Sequence, residues 1–138
     1  AASYAGGGVA PGEIIAIFGN TMGLGQLTSF SLVNNAVPPL LAGTRVLFDG
    51  EPAPILFTRN DQVGAIVPWG VATRPSVRVS VEFLGAQSPP FQLTVLPAKP
   101  ALFAADASGA GPGAILNENG SLNRAAEPAA KGSVIVLF

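Results

Sequence analysis

The clearest hydrophobic pattern in the chain is the alternation of apolar and polar residues in SVRVSVEF, residues 76–83. Successive side chains of a β-strand point to opposite faces of the sheet, so this segment predicts a strand with one apolar and one polar face. The apolar face is formed by Val77, Val79, Val81 and Phe83. The segment FQLTVLP repeats the pattern, with Phe91, Leu93 and Val95 predicted to point inward. We expect these two strands to be antiparallel neighbours.

Short apolar runs separated by turn residues predict four more strands. They are EIIAIF at residues 13–18, TRVLF at 44–48, ILFT at 55–58 and QVGAIV at 62–67. Asp49-Gly50 predicts a tight hairpin turn, because both residue types tolerate positive φ. Residues 21–43 have weak periodicity and are predicted to form a long loop. Six strands with turn signals every 8 to 12 positions or so predict an immunoglobulin-like β-sandwich over residues 12–97.

Composition favours an all-β fold over a helical one. The 138 residues include 17 glycines and 13 prolines, and 49% of residues are hydrophobic while 11% are charged. Apolar segments must therefore be short and interrupted by turns, which is typical of all-β domains. Residues 1–11, which are mostly small, are predicted to form a leader segment that ends at a Pro11-Gly12 turn.

The remaining part of the chain, residues 98–138, is predicted to be a β-rich C-terminal extension of the sandwich. Short strands are expected at residues 114–117 and 121–123, joined by a two-residue turn at Asn119-Gly120. The final predicted strand consists of Gly132, Ser133, Val134, Ile135, Val136, Leu137 and Phe138. An extension this short has few apolar positions and does not readily enclose a core of its own. We therefore expect it to pack on another surface.

The residue types present exclude most common enzyme designs. The chain has no cysteine and no histidine, which removes disulfides, thiolate nucleophiles, the usual zinc sites and the serine–histidine triad. The eight acidic residues show no pairing of the kind that a glycosidase needs. We therefore predict that the protein is not an enzyme and has no cofactor or metal site.

Charge and hydropathy also exclude two classes of binding partner, nucleic acids and membranes. The formal net charge of −1 provides no basic surface for nucleic acid or for an anionic membrane. No apolar run approaches the roughly 18 residues that a membrane-spanning helix needs. We therefore expect neither nucleic-acid binding nor membrane insertion.

Two loop chemistries stay open. Asp106, Ser108 and the segment 117–119 carry oxygen donors that suit calcium, although the spacing of an EF-hand is absent. Asn119-Gly120-Ser121 also matches the acceptor sequence for N-glycosylation.

The chain resembles, over nearly its whole length, the uncharacterised Solibacter-type C-terminal domain family of acidobacterial secreted and surface proteins. The resemblance lies in the order and spacing of VAPGEIIAIFG, TRVLFDGEPAPILF, QVGAIVPWGV, SVRVSVEF, PALFAADASGAGPGAILNENGSLN and PAAKGSVIVLF. Its first part, from Gly12 to about Pro97, is similar to the immunoglobulin-like IPT or TIG modules. The resemblance implies a β-sandwich in an extracellular or cell-surface protein, and the family has no established biochemical role to transfer.

Members of that family usually continue beyond the segment that corresponds to GSVIVLF. This sequence ends there, and it begins with AASY rather than with methionine. Two interpretations stay open: the chain is a processed or truncated product of a longer protein, or it is a mature chain that ends at a strand.

The leading functional expectation is a non-enzymatic structural module of an extracellular or cell-surface protein. The sequence VIVLF is uncharged, rich in β-formers and free of proline, so it would promote association if it lay at an exposed sheet edge. Fully extended, residues 132–138 would span about 23 Å, enough to complete a sheet of another copy by strand addition. Repetition of that contact predicts a head-to-tail filament.

Two alternatives to this assembly are kept. The terminal strand could pair within its own chain, as most terminal strands do. The protein could instead be an adhesive module that binds a polysaccharide or another surface protein through the loop of residues 21–43.

Overall fold

The computed structural model describes residues 6–138, and within them the secondary structure is almost entirely β. The strands are β1 (Ile14–Phe18), β2 (Thr28–Ser29), β3 (Thr44–Phe48), β4 (Glu51–Pro52), β5 (Ile55–Arg59), β6 (Gln62–Ile66), β7 (Ser76–Phe83), β8 (Ala86–Gln87), β9 (Phe91–Thr94), β10 (Ile115–Asn117) and β11 (Ile135–Leu137). A 3-10 helix covers Trp69–Val71. The predicted all-β fold is confirmed.

The described chain forms two compact units, residues 6–99 and residues 100–138, here named the sandwich unit and the C-terminal unit. The sandwich unit has two antiparallel sheets, one with the order β1-β6-β5-β2 and the other with the order β4-β3-β7-β8, in which β9 also pairs with β7. Side chains from both sheets form one apolar core. Its fully buried members include Val46, Phe48, Ile55, Val63 and Val77.

The alternation in β7 is borne out on its apolar face, where Val77, Val79 and Val81 are buried. Its polar face differs from the prediction at Ser80, which is buried because Gln87 of β8 lies over it and donates an Nε2–H bond of 2.7 Å to its hydroxyl. Strand β9 pairs antiparallel with β7, as predicted.

The inward direction predicted for Phe91 is wrong, since its side chain is 68% exposed. Phe91 is the first residue of β9, an edge strand that has β7 as its partner, so it has strand neighbours on one side. Leu93 and Val95, further along, are partly buried against the core, as predicted.

The prediction of a leader over residues 1–11 is corrected for its second half. Val9 forms a parallel bridge with Val95, and its N–H donates to the Thr94 carbonyl at 2.9 Å. Val9 and Ala10 are buried, so this segment is part of the sandwich. Gly8 permits the close approach, because a Cβ there would lie 2.8 Å from the Thr94 oxygen. The small residues of this segment have no periodicity that could reveal the pairing; residues 1–5 lie outside the described part of the chain.

At its other end the sandwich unit continues to Lys99, two residues beyond the predicted boundary. The Lys99 ammonium donates to the Gly8 carbonyl at 2.9 Å and lies 3.5 Å from the Glu13 carboxylate. Glu13 also accepts the Ala10 N–H at 2.9 Å. These contacts bring the two ends of the unit together.

The long loop of residues 21–43 is attached to both sheets by a small polar cluster. The hydroxyls of Thr44 in β3 and Thr58 in β5 are fully buried and lie 3.0 Å apart. The Thr44 hydroxyl also donates to the Met22 carbonyl at 2.8 Å. Because β3 and β5 belong to different sheets, these bonds connect the sheets and fix the start of the loop.

The C-terminal unit is built on antiparallel pairing of β10 with β11, in which Leu116 lies opposite Val136. On the other side of β10, Leu116 forms an isolated bridge with Leu122. The turn between these segments is not the predicted two-residue type, since the positive φ of +82° occurs at Gly120 and not at Asn119. The Gly120 N–H donates to the Asn117 carbonyl at 2.8 Å, and the Asn117 N–H donates to the Ser121 carbonyl at 2.8 Å. The connection between Asn117 and Ser121 therefore has three residues, with Gly120 as the third.

Gly64, in the middle of β6, provides a test of the packing in the sandwich unit. The aromatic ring of Phe57 lies over this glycine, and a Cβ at residue 64 would overlap the ring. We expect Gly64→Ala to lower the free energy of unfolding by about 1–3 kcal/mol, the usual cost of overpacking. Urea denaturation monitored by circular dichroism measures the change.

The matched control is Gly25→Ala, because nothing lies within 4 Å of a Cβ at that position. Its effect should stay within about 0.5 kcal/mol. Equal stability of the two variants would show that the ring does not constrain Gly64.

Candidate assembly surface

The segment predicted to mediate assembly, residues 132–138, is named here the assembly segment. Its first two residues belong to a turn, since Gly132 has φ +84° and the Ser133 N–H donates to the Ala130 carbonyl at 3.1 Å. The paired strand β11 is therefore shorter than the predicted seven residues and covers Ile135–Leu137. Gly132 and Ser133 lie outside the strand, before its first residue, because each takes part in this turn.

Strand β11 pairs with β10 of the same chain, and this pairing occupies one of its two edges. The Phe138 N–H donates to the Ala114 carbonyl at 3.2 Å, so Phe138 directs its amide toward β10. Backbone groups of alternate residues in an antiparallel strand point to the same edge. Val136 therefore also faces β10, while the N–H and C=O groups of Ile135 and Leu137 face the opposite edge.

That opposite edge has no strand on it within residues 6–138, where the sheet consists of β10 and β11. The segment 133–138 contains no charged residue and no proline. Natural edge strands commonly carry lysine, proline or a bulge, which discourage pairing with another chain. Within the described residues this edge has none of these features and no partner strand, and it is named here the open edge.

The side chains of the assembly segment are exposed on both faces of β11. Exposed fractions are 66% for Val134, 43% for Ile135, 47% for Val136, 52% for Leu137 and 53% for Phe138. Leu102, Phe103 and Leu122 in the same unit are also exposed. The unit thus exposes apolar side chains on β11 and at other positions of its surface.

Asn117 fixes β10, the strand against which β11 lies. This residue is buried, and its Nδ2 donates to the Ser121 hydroxyl and to the Glu127 carbonyl, both at 3.1 Å. Its Oδ1 accepts a bond of 2.8 Å from Asn123. Sequence reasoning considered Asn117 as a calcium donor, whereas here its side chain is used to hold the loop of residues 121–127.

Three other oxygen donors considered for calcium, those of Asp106, Ser108 and Asn119, are also engaged locally. Asp106 accepts hydrogen bonds from the N–H and the hydroxyl of Ser108, which lowers the pKa of its carboxyl. Among the described residues, no three acidic side chains are grouped so that they could hold a metal ion.

The loop of residues 21–43 forms a second exposed apolar surface, on the sandwich unit. Its exposed side chains are those of Leu24, Leu27, Leu32, Val33 and Leu40. Asn34 and Asn35 both have positive φ and form a tight turn that Val33 and Ala36 close by reciprocal hydrogen bonds. Sequence reasoning identified the loop but not this turn, for which the Asn-Asn pair is a recognisable signal.

An open groove of about 570 Å³ lies beside the β3–β4 turn, lined by residues that include Asp49, Arg78, Ser80 and Pro89. The Asp49 carboxylate in its lining is paired with two guanidinium groups. The Arg78 N–H donates to the Asp49 carboxylate at 3.1 Å, and the guanidinium groups of Arg78 and Arg74 lie 3.2 and 3.1 Å from it. These bonds attach the turn to β7.

Comparison of the chain with family models, curated proteins and solved structures found no match. Membership of the Solibacter-type family therefore stays a prediction. Among the residues that the structure describes, no helix has the length and hydropathy needed to cross a membrane.

The bonds to Asp49 predict how stability depends on pH. They favour its charged form, chiefly through the Arg78 N–H, so the pKa of the carboxyl lies below the ordinary value of 3.8. A lowered folded-state pKa contributes stability above 3.8, and this contribution is lost as the pH falls through the folded-state pKa. We expect Asp49→Asn to be less stable than the wild type at neutral pH and the difference to disappear in acid.

Urea denaturation of both proteins between neutral pH and about pH 2 measures this difference, over the range in which carboxylates become protonated. Asparagine also tolerates the positive φ of residue 49, so the turn is kept. Glu118→Gln, at an exposed loop carboxylate, is the control. A stability difference for Asp49→Asn that is independent of pH would contradict the assignment.

Proposed function

We propose that this chain is a non-enzymatic structural module of an extracellular or cell-surface protein and that its copies associate by strand addition through the assembly segment. The observation that carries the proposal is the open edge of β11, with the backbone groups of Ile135 and Leu137 directed away from β10. Unpaired edges are templates for another strand. The apolar side chains on both faces add a favourable contribution when they leave water.

The composition supports the proposed location. Only 11% of residues are charged, glycine and proline are abundant, and the acidic groups described above are engaged in ion pairs or turns rather than in a catalytic arrangement. These features suit a module whose role is to fold and to contact other surfaces.

Self-association is tested by light scattering of the purified chain over a range of concentrations. We expect the apparent mass to rise with concentration and Val136→Lys to reduce it to that of the monomer, because a charge would be desolvated at the new contact. A wild type that stays monomeric at every concentration would refute self-assembly.

The matched control for Val136→Lys is Val33→Lys, which places the same charge at an exposed valine of the sandwich unit. This variant should associate like the wild type. Circular dichroism and thermal melting of both variants separate lost association from lost folding.

A second candidate function is adhesion through the loop of residues 21–43, and the specific observation in its favour is the exposure of five aliphatic side chains there. Large exposed apolar patches mark interaction sites. The whole loop cannot be exchanged for a linker, because Met22 takes part in the core and β2 pairs with β5.

The test for adhesion uses the double variant Leu32→Ser/Val33→Ser at the tight turn. Binding is measured against a panel of purified polysaccharides. We expect the affinity of the double variant to be at least about tenfold lower than that of the wild type, because two apolar contacts are lost and a loss of about 1.4 kcal/mol corresponds to a factor of ten in Kd. Leu84→Ser, at another exposed turn, is the control. No binding by the wild type, or equal binding by the double variant, would exclude this function.

A further inference from the structure

We propose that the partner of β11 is β11 of a second copy, paired antiparallel about a twofold axis that passes through Val136. This inference rests on the proposed function and specifies the partner and the register of the same edge. It differs from the head-to-tail contact expected from the sequence, because each copy would contribute the same strand.

The available backbone groups restrict the possible registers. Hydrogen-bonded pairs in the new contact must be made by residues that face the open edge, which are Ile135 and Leu137. Ser133 also faces this edge, but its N–H already donates to the Ala130 carbonyl. A register that pairs Ile135 with its own copy would need Ser133 to bond Leu137, so that register is disfavoured.

Pairing of Ile135 with Leu137 of the second copy uses every available group. It forms two reciprocal hydrogen-bonded pairs, one on each side of the axis, and places Val136 opposite Val136. The next pair outward joins Val134 with Phe138. All five residues from 134 to 138 then lie opposite an apolar residue.

The charge distribution favours a second copy as the occupant. In this antiparallel register Val136 lies opposite its own copy and Val134 lies opposite Phe138, so a charge at residue 136, or like charges at residues 134 and 138, would be repelled. Residues 132–138 carry no side-chain charge, and the nearest lysine is Lys131, before the Gly132 turn. The segment is therefore complementary to itself.

The absence of cysteine makes the register directly measurable. In a non-hydrogen-bonded antiparallel pair the Cα atoms are about 4.5 Å apart, within the range that a disulfide spans. Val136→Cys should therefore form a crosslinked dimer under mild oxidation, visible by non-reducing electrophoresis.

Val134→Cys is the matched control, with the same residue type in the same assembly segment and greater exposure. In the proposed register its two copies would be about 14 Å apart, four residues along the strand, which is too far for a disulfide. We expect it to crosslink at least about tenfold more slowly than Val136→Cys. A mixture of Val134→Cys with Phe138→Cys should restore crosslinking, because these positions are opposite each other.

The outcomes separate this inference from the proposed function. Association in light scattering without preferential Val136→Cys crosslinking would overturn the twofold register and leave strand addition standing. Equal crosslinking of the Val134 and Val136 variants would also overturn the register. A chain that is monomeric at all concentrations would overturn both proposals.

Discussion

Pairing of backbone N–H and C=O groups between short strands is the constraint on which both units depend. The longest strand has eight residues, and most have five or fewer. A chain that reverses so often needs turns that preserve pairing on both sides. Four tight turns do so with positive φ at both central residues, at Asn34-Asn35, Ala42-Gly43, Asp49-Gly50 and Leu84-Gly85. Ala42 and Leu84 take this conformation at a cost of roughly 1–2 kcal/mol each, since L residues with a Cβ rarely adopt it.

Side-chain packing then sets how the two sheets of the sandwich unit meet. Their contact is apolar except for Thr44, Thr58 and the Met22 carbonyl. A buried hydroxyl left without a partner costs about 1–3 kcal/mol, so these groups satisfy one another and position the loop that follows. The loop backbone is attached again where the Phe30 N–H donates to Leu56 and the Ile55 N–H to Pro38. Four of its leucines stay exposed, whereas Leu41, close to β3, packs against the core.

The sequence predicts well those strands that have one buried face. Strands β3 and β7 show the alternation that burial of one face imposes, and Asp49-Gly50 has the residue types that its turn requires. Pairing of Val9 with Val95 could not be predicted, because an isolated bridge between distant segments has no period. Burial of Ser80 also depends on a neighbour, Gln87, rather than on its own strand.

The sequence prediction proposed the assembly segment, but it could not give the geometry of that segment. The run from Val134 to Phe138 is apolar at every position, so it has no alternation that could tell which face or edge is covered. Its partner β10 has three residues, and hydrogen bonds of the Asn117 side chain add to the backbone bonds that hold this strand. Such side-chain bonds within a loop depend on three-dimensional proximity and not on spacing along the chain.

The bridge between Val9 and Val95 has a consequence for synthesis of the protein. It joins segments at opposite ends of the sandwich unit, and Lys99 adds a contact with Gly8. The fold of this unit therefore cannot be completed during synthesis until its last residues have left the ribosome and can pair with its first residues. Proteins dominated by such distant contacts fold slowly, in about milliseconds to seconds. Pairing of β10 with β11 spans far less sequence, so closure of the C-terminal unit requires a shorter search.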